Sequence, residues 1–405
     1  MSKSIIFLAD GMADEPLAEL GGKTPLEAAN TPFMDSIAAQ GASGTFLSLP
    51  PGFPTSSDVA NMSVMGYDLA KCYPGRGPIE AVSQDIEMRE DDIAWRCNLV
   101  TVLDGVLTDY SAGHIDNKVS TELMHSLQKK FGNEKITFYP GVSYRNLMIF
   151  HGNEFSEKID FFKPDSSQGQ KVDELRWSAA DNTKEAAYTL VLLNEIIKEA
   201  AAFLSTHPLN TGNSSPANYI WPWSPGKKPH FEAFSDKYSG RTAAVISAVD
   251  VIFGIAKCAG MEIVKVPGAT GFTDTNYEGK ALAAVKALET HDFVYLHVEA
   301  IDECGHMGDL NLKIKAIEDF DSKIVGTVMK ILEGREITYA VLPDHPVPIK
   351  LRKHTRAPVP LSICGPHITQ DNIMAYSEKL AVEGSLGLMR GDELMKLVLN
   401  LKQGN

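Results

Sequence analysis

The chain has 405 residues, a formal net charge of −14, 44% hydrophobic residues and 22% charged ones. That length holds two domains or one large core with an insertion, and the composition is that of a soluble globular protein. The acidic balance argues against non-specific binding to nucleic acid or an anionic membrane, and no run approaches the roughly 20 apolar residues of a membrane span.

Residues 4–9 are a short apolar run without alternation, which predicts a buried strand of a parallel sheet. No charged segment with a cleavable apolar core precedes it, so no signal peptide is expected. The run ends at Asp10-Gly11-Met12-Ala13-Asp14. A carboxylate just past a buried strand stands where open α/β sheets bind ligands, or else it caps the next turn. Residues 25–40 predict one helix, opened by Pro25 and stopped by Gly41, and residues 44–49 predict a second strand. A Pro/Gly/Ser-rich loop then runs into a short helical stretch at Ser57. Ser57 reads either as a helix cap or as a nucleophile, because a helix N-terminus favours an alkoxide or a bound phosphate.

From Lys71 the texture changes. Tyr73 to Pro78 is a turn-rich break, and β-like segments follow at 94–102, 106–110, 136–140 and 144–150. Arg76, Arg89, Arg96 and Arg145 recur at or near their edges. Arg96-Cys97-Asn98 and Tyr144-Arg145-Asn146 each pair a guanidinium with an amide, a combination suited to a carboxylate or phosphate. Residues 151–182 predict loop, and 184–204 a strong amphipathic helix. Asn213 to Pro229, with Trp221-Pro222-Trp223-Ser224-Pro225-Gly226-Lys227-Lys228, predicts a packed loop at a domain junction or a wall whose lysines reach an anion. A helix is expected over about 241–258, a strand over 262–266, a Gly/Thr-rich loop over 267–276 and a helix over about 278–289.

The last third is densest in chemistry. The buried run 293–298 ends in Glu299-Ala300-Ile301-Asp302-Glu303-Cys304-Gly305-His306. A long helix over about 310–332 leads to a second apolar run, 337–342, which ends in Pro343-Asp344-His345-Pro346. His354 and a further strand, 359–364, follow. Asp302 and His306 are four apart, so one helical turn aims both at one ion. Carboxylates and imidazoles without thiolate suit Mn²⁺, Zn²⁺ or Mg²⁺. Two such ions would bind the attacking and leaving oxygens of a phosphoryl group and activate a serine hydroxyl. Cys72, Cys97, Cys258, Cys304 and Cys364 are scattered without a C-x-x-C pair, which predicts reduced thiols and a cytoplasmic location.

These residues form a set. Asp10 to Asp14, Leu20-Gly21-Gly22-Lys23-Thr24-Pro25, Ser57 through Asp68, Tyr73 to Glu80, Arg96 to Asn98, Tyr144-Arg145, Pro267 to Gly271, Asp302 to Asp309 and Pro343 to His345 together resemble the cofactor-independent phosphoglycerate mutases of the archaeal type, in the alkaline phosphatase superfamily. The resemblance implies that Ser57 forms a phosphoserine. It implies one ion on Asp10, Ser57, Asp344 and His345 and another on Asp302, His306 and His354, with Mn²⁺ favoured. It places Lys313 near the transferred phosphate and Arg76, Arg96, Asn98 and Arg145 in or near the substrate cleft. The implied fold is an α/β phosphatase-like core with a mainly parallel sheet, formed by residues 1–72 and 225–405. A smaller α+β domain, 73–224, is inserted, binds substrate and closes over the cleft to exclude water. The implied partner is a small phosphorylated metabolite, with no need for 2,3-bisphosphoglycerate.

Four positions depart from the family pattern. The Trp221–Lys228 segment replaces an Arg-Gly strand end, His114 an arginine, Glu299 a lysine, and Asn61 a histidine. Loss of positive charge beside an intact ligand set is how a change of substrate would read. A related homoserine kinase-like subfamily, making O-phosphohomoserine, is therefore the alternative resemblance.

Overall fold

A strand covered on both faces must be apolar along its whole length, and three such stretches set the architecture. The computed structural model describes residues 3–401. Two strands come first, β1 (Lys3–Ala9) and β2 (Ala42–Phe46). The middle of the chain supplies β3 (Asp92–Leu103), β4 (Val106–Asp109), β5 (Ile136–Val142), β6 (Arg145–His151), β7 (Ile159–Asp160), β8 (Ser178–Ala179) and β9 (Tyr219–Gly226). The remainder supplies β10 (Ala243–Ile246), β11 (Glu262–Val264), β12 (Phe293–Val298), β13 (Ile337–Leu342), β14 (Val359–Cys364) and β15 (Gly387–Met389). The described residues divide into two units, one up to Tyr73 and again from Phe231, the other Pro74–His230.

In the first unit β1 lies between β12 and β13 and is parallel to both, with Leu8 beside His297 on one side and Leu342 on the other. The sheet order is β11-β10-β12-β1-β13-β14-β2-β15, and only the two pairings made by β14 are antiparallel. The fold is α/β with a large, mainly parallel sheet. Helices cover it through a core that includes Ile5, Phe7, Ile37, Ala284, Leu296 and Phe320. Because β12, β1 and β13 are neighbours pointing the same way, the chain leaves one edge of the sheet three times, just before Glu299, Asp10 and Pro343.

Several sequence expectations are corrected here. The helix expected over 25–40 is two, Pro25–Ala28 and Pro32–Ala39. Pro32 lacks an N–H and forces Thr31 out of the helical region (φ −127°, ψ 54°). The second piece is held by Asp321, whose carboxylate accepts the Met34 N–H at 2.7 Å. The helix expected over 241–258 is β10 followed by the helix Asp250–Cys258. Ala243–Ile246 is fully apolar, and burial between β11 and β12 decides for a strand. The strand expected over 44–49 ends at Phe46. The long helix near 310–332 exists, with a π-helical turn at Phe320–Val325.

The second unit is built on β3, which runs antiparallel to β6 along one side and to β9 and then β4 along the other. The packed loop expected over 213–229 is therefore corrected to a strand over Tyr219–Gly226. Its aromatic residues suit a pleated surface, and Pro222 and Pro225 are tolerated because β9 bonds to β3 alone. The helix Asn117–Phe131 went unpredicted, although Leu123, Met124 and Leu127 give it a buried face. It and the helix Lys184–Ser205 share a separate core with Trp95, Phe150, Trp177 and Trp221.

Candidate active site

Asp10 follows β1 directly, and Gly11 makes its turn possible. Gly11 has φ +66°, and a Cβ there would lie 2.6 Å from the Asp302 Cα. Only glycine lets the two backbones approach so closely. The Gly11 N–H donates to Asp344 Oδ1 at 3.2 Å, tying the end of β1 to the end of β13. Asp302 and His306 lie one turn apart on the helix Ala300–Met307, with 3.3 Å between His306 Nε2 and Asp302 Oδ2. His354 Nε2 lies 3.5 Å from Asp302 Oδ1 and 2.9 Å from His306 Nε2. His345 Nε2 is 3.4 Å from both Asp10 Oδ1 and Asp344 Oδ2. The His345 and His354 rings stack with centroids 3.8 Å apart, joining the two sets.

Ser57 is the first residue of the helix Ser57–Val64. The residue at the cap position is Ser56, whose side chain makes no capping bond. The Ser57 hydroxyl instead lies 3.2 Å from His345 Nε2. All seven residues expected to hold metal are thus assembled from segments spread between Asp10 and His354. Asn61, one turn after Ser57, bonds through Nδ2 to Asp344 Oδ2 and to the Ser57 carbonyl, both at 2.8 Å. The Tyr295 hydroxyl donates to Asn61 Oδ1 at 2.5 Å. Asn61 therefore fixes a carboxylate and the serine turn together, a role the sequence did not disclose.

The donor set fits divalent cations. Ligand atoms of Asp10, Asp344 and His345 lie within 4.8 Å of one another, as do those of Asp302, His345 and His354. Asp10 Oδ1 and Asp302 Oδ1 are buried without a hydrogen-bond partner, a costly state unless a cation meets them. Burial, then the Asp302 charge, pushes the Asp10 carboxyl well above its ordinary range. Burial and then Asp10 do the same to Asp344. Burial alone would also raise Asp302, but the His306 hydrogen bond and charge outweigh it and hold it below. Burial alone would lower His306, and Asp302 overrides it, raising the imidazole to about 9. Carboxylates crowded together with oxygen and nitrogen donors are what a hard or borderline divalent ion relieves.

Lys313 has buried partners of its own. It is fully buried and donates to Asp14 Oδ2 and to the Val347 carbonyl, both at 2.8 Å. Asp14 in turn accepts the Ile349 N–H at 3.1 Å. This ion pair clamps the segment after His345 against the loop after β1, and no hydrogen bond links Lys313 to Ser57.

The expected anion-binding residues gather in the second unit. Arg96 and Asn98 are buried on β3, and Arg145 stands beside Asn98 on β6. Glu80, also buried, takes the Arg76 Nε–H at 2.6 Å and an Arg96 N–H. Burial alone would raise Glu80, but Arg96 and then Arg76 outweigh it and hold the carboxyl low. Burial brings Arg96 down to about 10. Asn98 Oδ1 accepts from Arg96 Nε and from Trp223 Nε1, each at 3.1 Å. The Trp223 ring has the Arg76 and Arg96 guanidinium carbons 5.8 and 5.6 Å from its centroid. Trp223 and Glu80 were not foreseen. Lys227 and Lys228 pair with Glu157 at 3.8 Å and Glu90 at 3.2 Å.

Comparison with known proteins completes the picture. A sequence model of the 2,3-bisphosphoglycerate-independent phosphoglycerate mutases matches residues 38–210. A protein of that name from Methanosarcina barkeri is 44% identical over 407 residues, covering 99% of this chain and 100% of its own. A probable enzyme of the same name from Geobacter sulfurreducens is 44% identical, covering 98% and 100%. A cofactor-independent phosphoglycerate mutase from Thermoplasma acidophilum superposes with a TM-score of 0.64 at 27% identity, over 98% of this chain and all of its own. A solved structure from Pyrococcus horikoshii reaches 0.82 at 28% identity, over 100% and 99%.

Proposed function

The chain belongs to the 2,3-bisphosphoglycerate-independent phosphoglycerate mutases, a family of isomerases, and from that membership we propose that it interconverts 3- and 2-phosphoglycerate through a phosphoserine on Ser57. The observation that carries the reading is the Ser57 hydroxyl 3.2 Å from His345 Nε2, within a buried cluster of aspartates and histidines. Asp10, Ser57, Asp344 and His345 would hold one divalent ion, and Asp302, His306 and His354 the other, with Mn²⁺ favoured over Zn²⁺ or Mg²⁺. When bound, such ions polarise phosphoryl oxygens and make the serine hydroxyl more acidic.

The chain's own groups do the rest. Ser57 Oγ attacks the phosphorus and bonds to it, the bond from phosphorus to the C3 oxygen of the substrate breaks, and the proton given up by the serine hydroxyl is matched by one taken up on the C3 oxygen. The C2 hydroxyl of the retained glycerate then gives up its proton and takes the phosphoryl group back, Ser57 Oγ regains a proton, and no 2,3-bisphosphoglycerate is required. The helix beginning at Ser57 offers its N-terminal N–H groups to the phosphate. Asn61 holds the serine turn and Asp344 in register. In the inserted unit, Arg145, Arg76, Arg96 and Asn98 would recognise the anionic substrate, with Glu80 setting the orientation of two of the arginines. Lys313 serves as an anchor for the loop after His345.

The reading is tested by incubating the Mn²⁺-loaded protein with 3-phosphoglycerate, quenching, and mapping phosphopeptides by mass spectrometry. Phosphate on the peptide containing Ser57 is expected. Unmodified Ser57, or O-phosphohomoserine as the only product when homoserine is supplied, would overturn it.

A further inference from the structure

His297 sits on β12 in a fully apolar run and is 0% exposed. Its two ring nitrogens both have partners. Nε2 lies 3.0 Å from Asp10 Oδ2, and Nδ1 lies 3.1 Å from Ser247 Oγ. Ser247, 1% exposed, directly follows β10. The sheet order β10-β12-β1 explains the geometry: one imidazole spans the ends of three adjacent parallel strands. The hydrogen bonds also fix the tautomer. The ionised carboxylate of a metal-binding Asp10 can only accept, so the ring proton belongs on Nε2, and the bare Nδ1 takes the Ser247 hydroxyl proton while Ser247 Oγ accepts the Val249 N–H at 3.1 Å.

We propose that His297 is a positioning residue for Asp10, donating from Nε2 while Ser247 bonds its Nδ1. The proposal rests on the reading of Asp10 as a metal ligand. Its content is a division of labour between the two carboxylate oxygens. Oδ2 is occupied by His297, while Oδ1 is buried, has no hydrogen-bond partner and lies 3.4 Å from His345 Nε2. Asp10 is thereby restricted to binding an ion through Oδ1 alone, with its plane fixed in advance. Partners of this kind orient metal ligands and raise affinity, and their loss typically costs about 10- to 100-fold. Tyr295, two residues earlier on the same face of β12, acts likewise on Asp344 through Asn61. One buried strand thus braces two carboxylates, one delivered by its neighbour β1 and one by β13, the next strand beyond it.

The test is Mn²⁺ titration of the full-length protein followed by electron paramagnetic resonance, which counts free ion. A glutamine at 297 places its amide nitrogen near the reach of Nε2, whereas an asparagine falls short. His297→Leu and His297→Asn are expected to weaken one of two Mn²⁺ sites by about 10- to 100-fold, with the other unchanged. His297→Gln recovers most of the loss, and Ser247→Ala loses less than His297→Leu. Affinities equal to wild type in His297→Leu, or equal in His297→Gln and His297→Asn, overturn the proposal while leaving the metal reading intact. The glutamine–asparagine comparison decides the matter if His297→Leu does not fold. A wild-type protein that binds no Mn²⁺ overturns the metal reading and this proposal together.

Discussion

Ser57 differs from an ordinary helix cap in what its oxygen touches. The cap position belongs to Ser56, and the Ser57 hydroxyl turns to His345 instead of to its own helix. Arg145, half-buried like Arg76, is flanked by Tyr144 with its guanidinium carbon 5.5 Å from the ring centroid. Arg145→Ala is predicted to raise KM for 3-phosphoglycerate by about 10- to 100-fold, the worth of one charged hydrogen bond. Metal content should not change, and a KM like wild type would remove Arg145 from substrate recognition. Lys280 gives a pH test. It is 0% exposed, its Nζ has no hydrogen-bond partner, and burial brings it down to about 8. Its folded value lies below its unfolded one, so the unfolded chain binds more protons between pH 8 and 10.5. Stability from this group is full above 10.5 and is lost as pH falls through 8. Lys280→Met should remove that slope and stabilise the protein at pH 7 by on the order of 3 kcal/mol. Urea melts at pH 7 and pH 10 read it, and an unchanged pH slope would contradict it.

At the scale of elements, the site depends on turns as much as on ligands. Gly11→Ala forces a side chain into a left-handed turn and against the Asp302 backbone. It should cost on the order of 2–4 kcal/mol and weaken Mn²⁺ binding, measured by urea unfolding and metal titration; wild-type behaviour would show that the close approach is unimportant. What could be read in the sequence follows from the same elements. β1, β12 and β13 are uninterrupted apolar runs, so Asp10, Asp302 and Asp344 stood out as residues past strand ends. Ala243–Ile246 was misread because a four-residue apolar run carries no period, and only its neighbours β11 and β12 make it a strand. Trp221–Gly226 was misread because two prolines signal a loop unless the strand bonds on one side alone. His297 and Tyr295 were invisible as supports. Within an apolar run they look like core, and the groups they support, Asp10 and Asn61, lie more than 230 residues away in sequence.

At the scale of the molecule, each unit carries its own core, and the two cores share no member. Trp221 is fully buried in the second, 5.0 Å from Trp177 between ring centroids, and its Nε1–H donates to the Phe162 carbonyl at 2.8 Å. Trp221→Ala should cost that unit about 3–5 kcal/mol. Hydrogen exchange is then predicted to accelerate across residues 74–230 while β1, β12 and β13 stay protected. Equal acceleration in both units would show one cooperative unit instead. The net charge of −14 is no obstacle to an anionic substrate, because Arg76, Arg96 and Arg145 gather around the single carboxylate of Glu80. The central claim is that this chain moves a phosphoryl group by way of Ser57. The most direct measurement is ³¹P NMR of the Mn²⁺-loaded protein with 3-phosphoglycerate and no 2,3-bisphosphoglycerate. The 2-phosphoglycerate resonance is predicted to appear with wild type and to be absent with Ser57→Ala; no conversion by wild type at saturating Mn²⁺, or conversion by Ser57→Ala at the wild-type rate, would contradict the account.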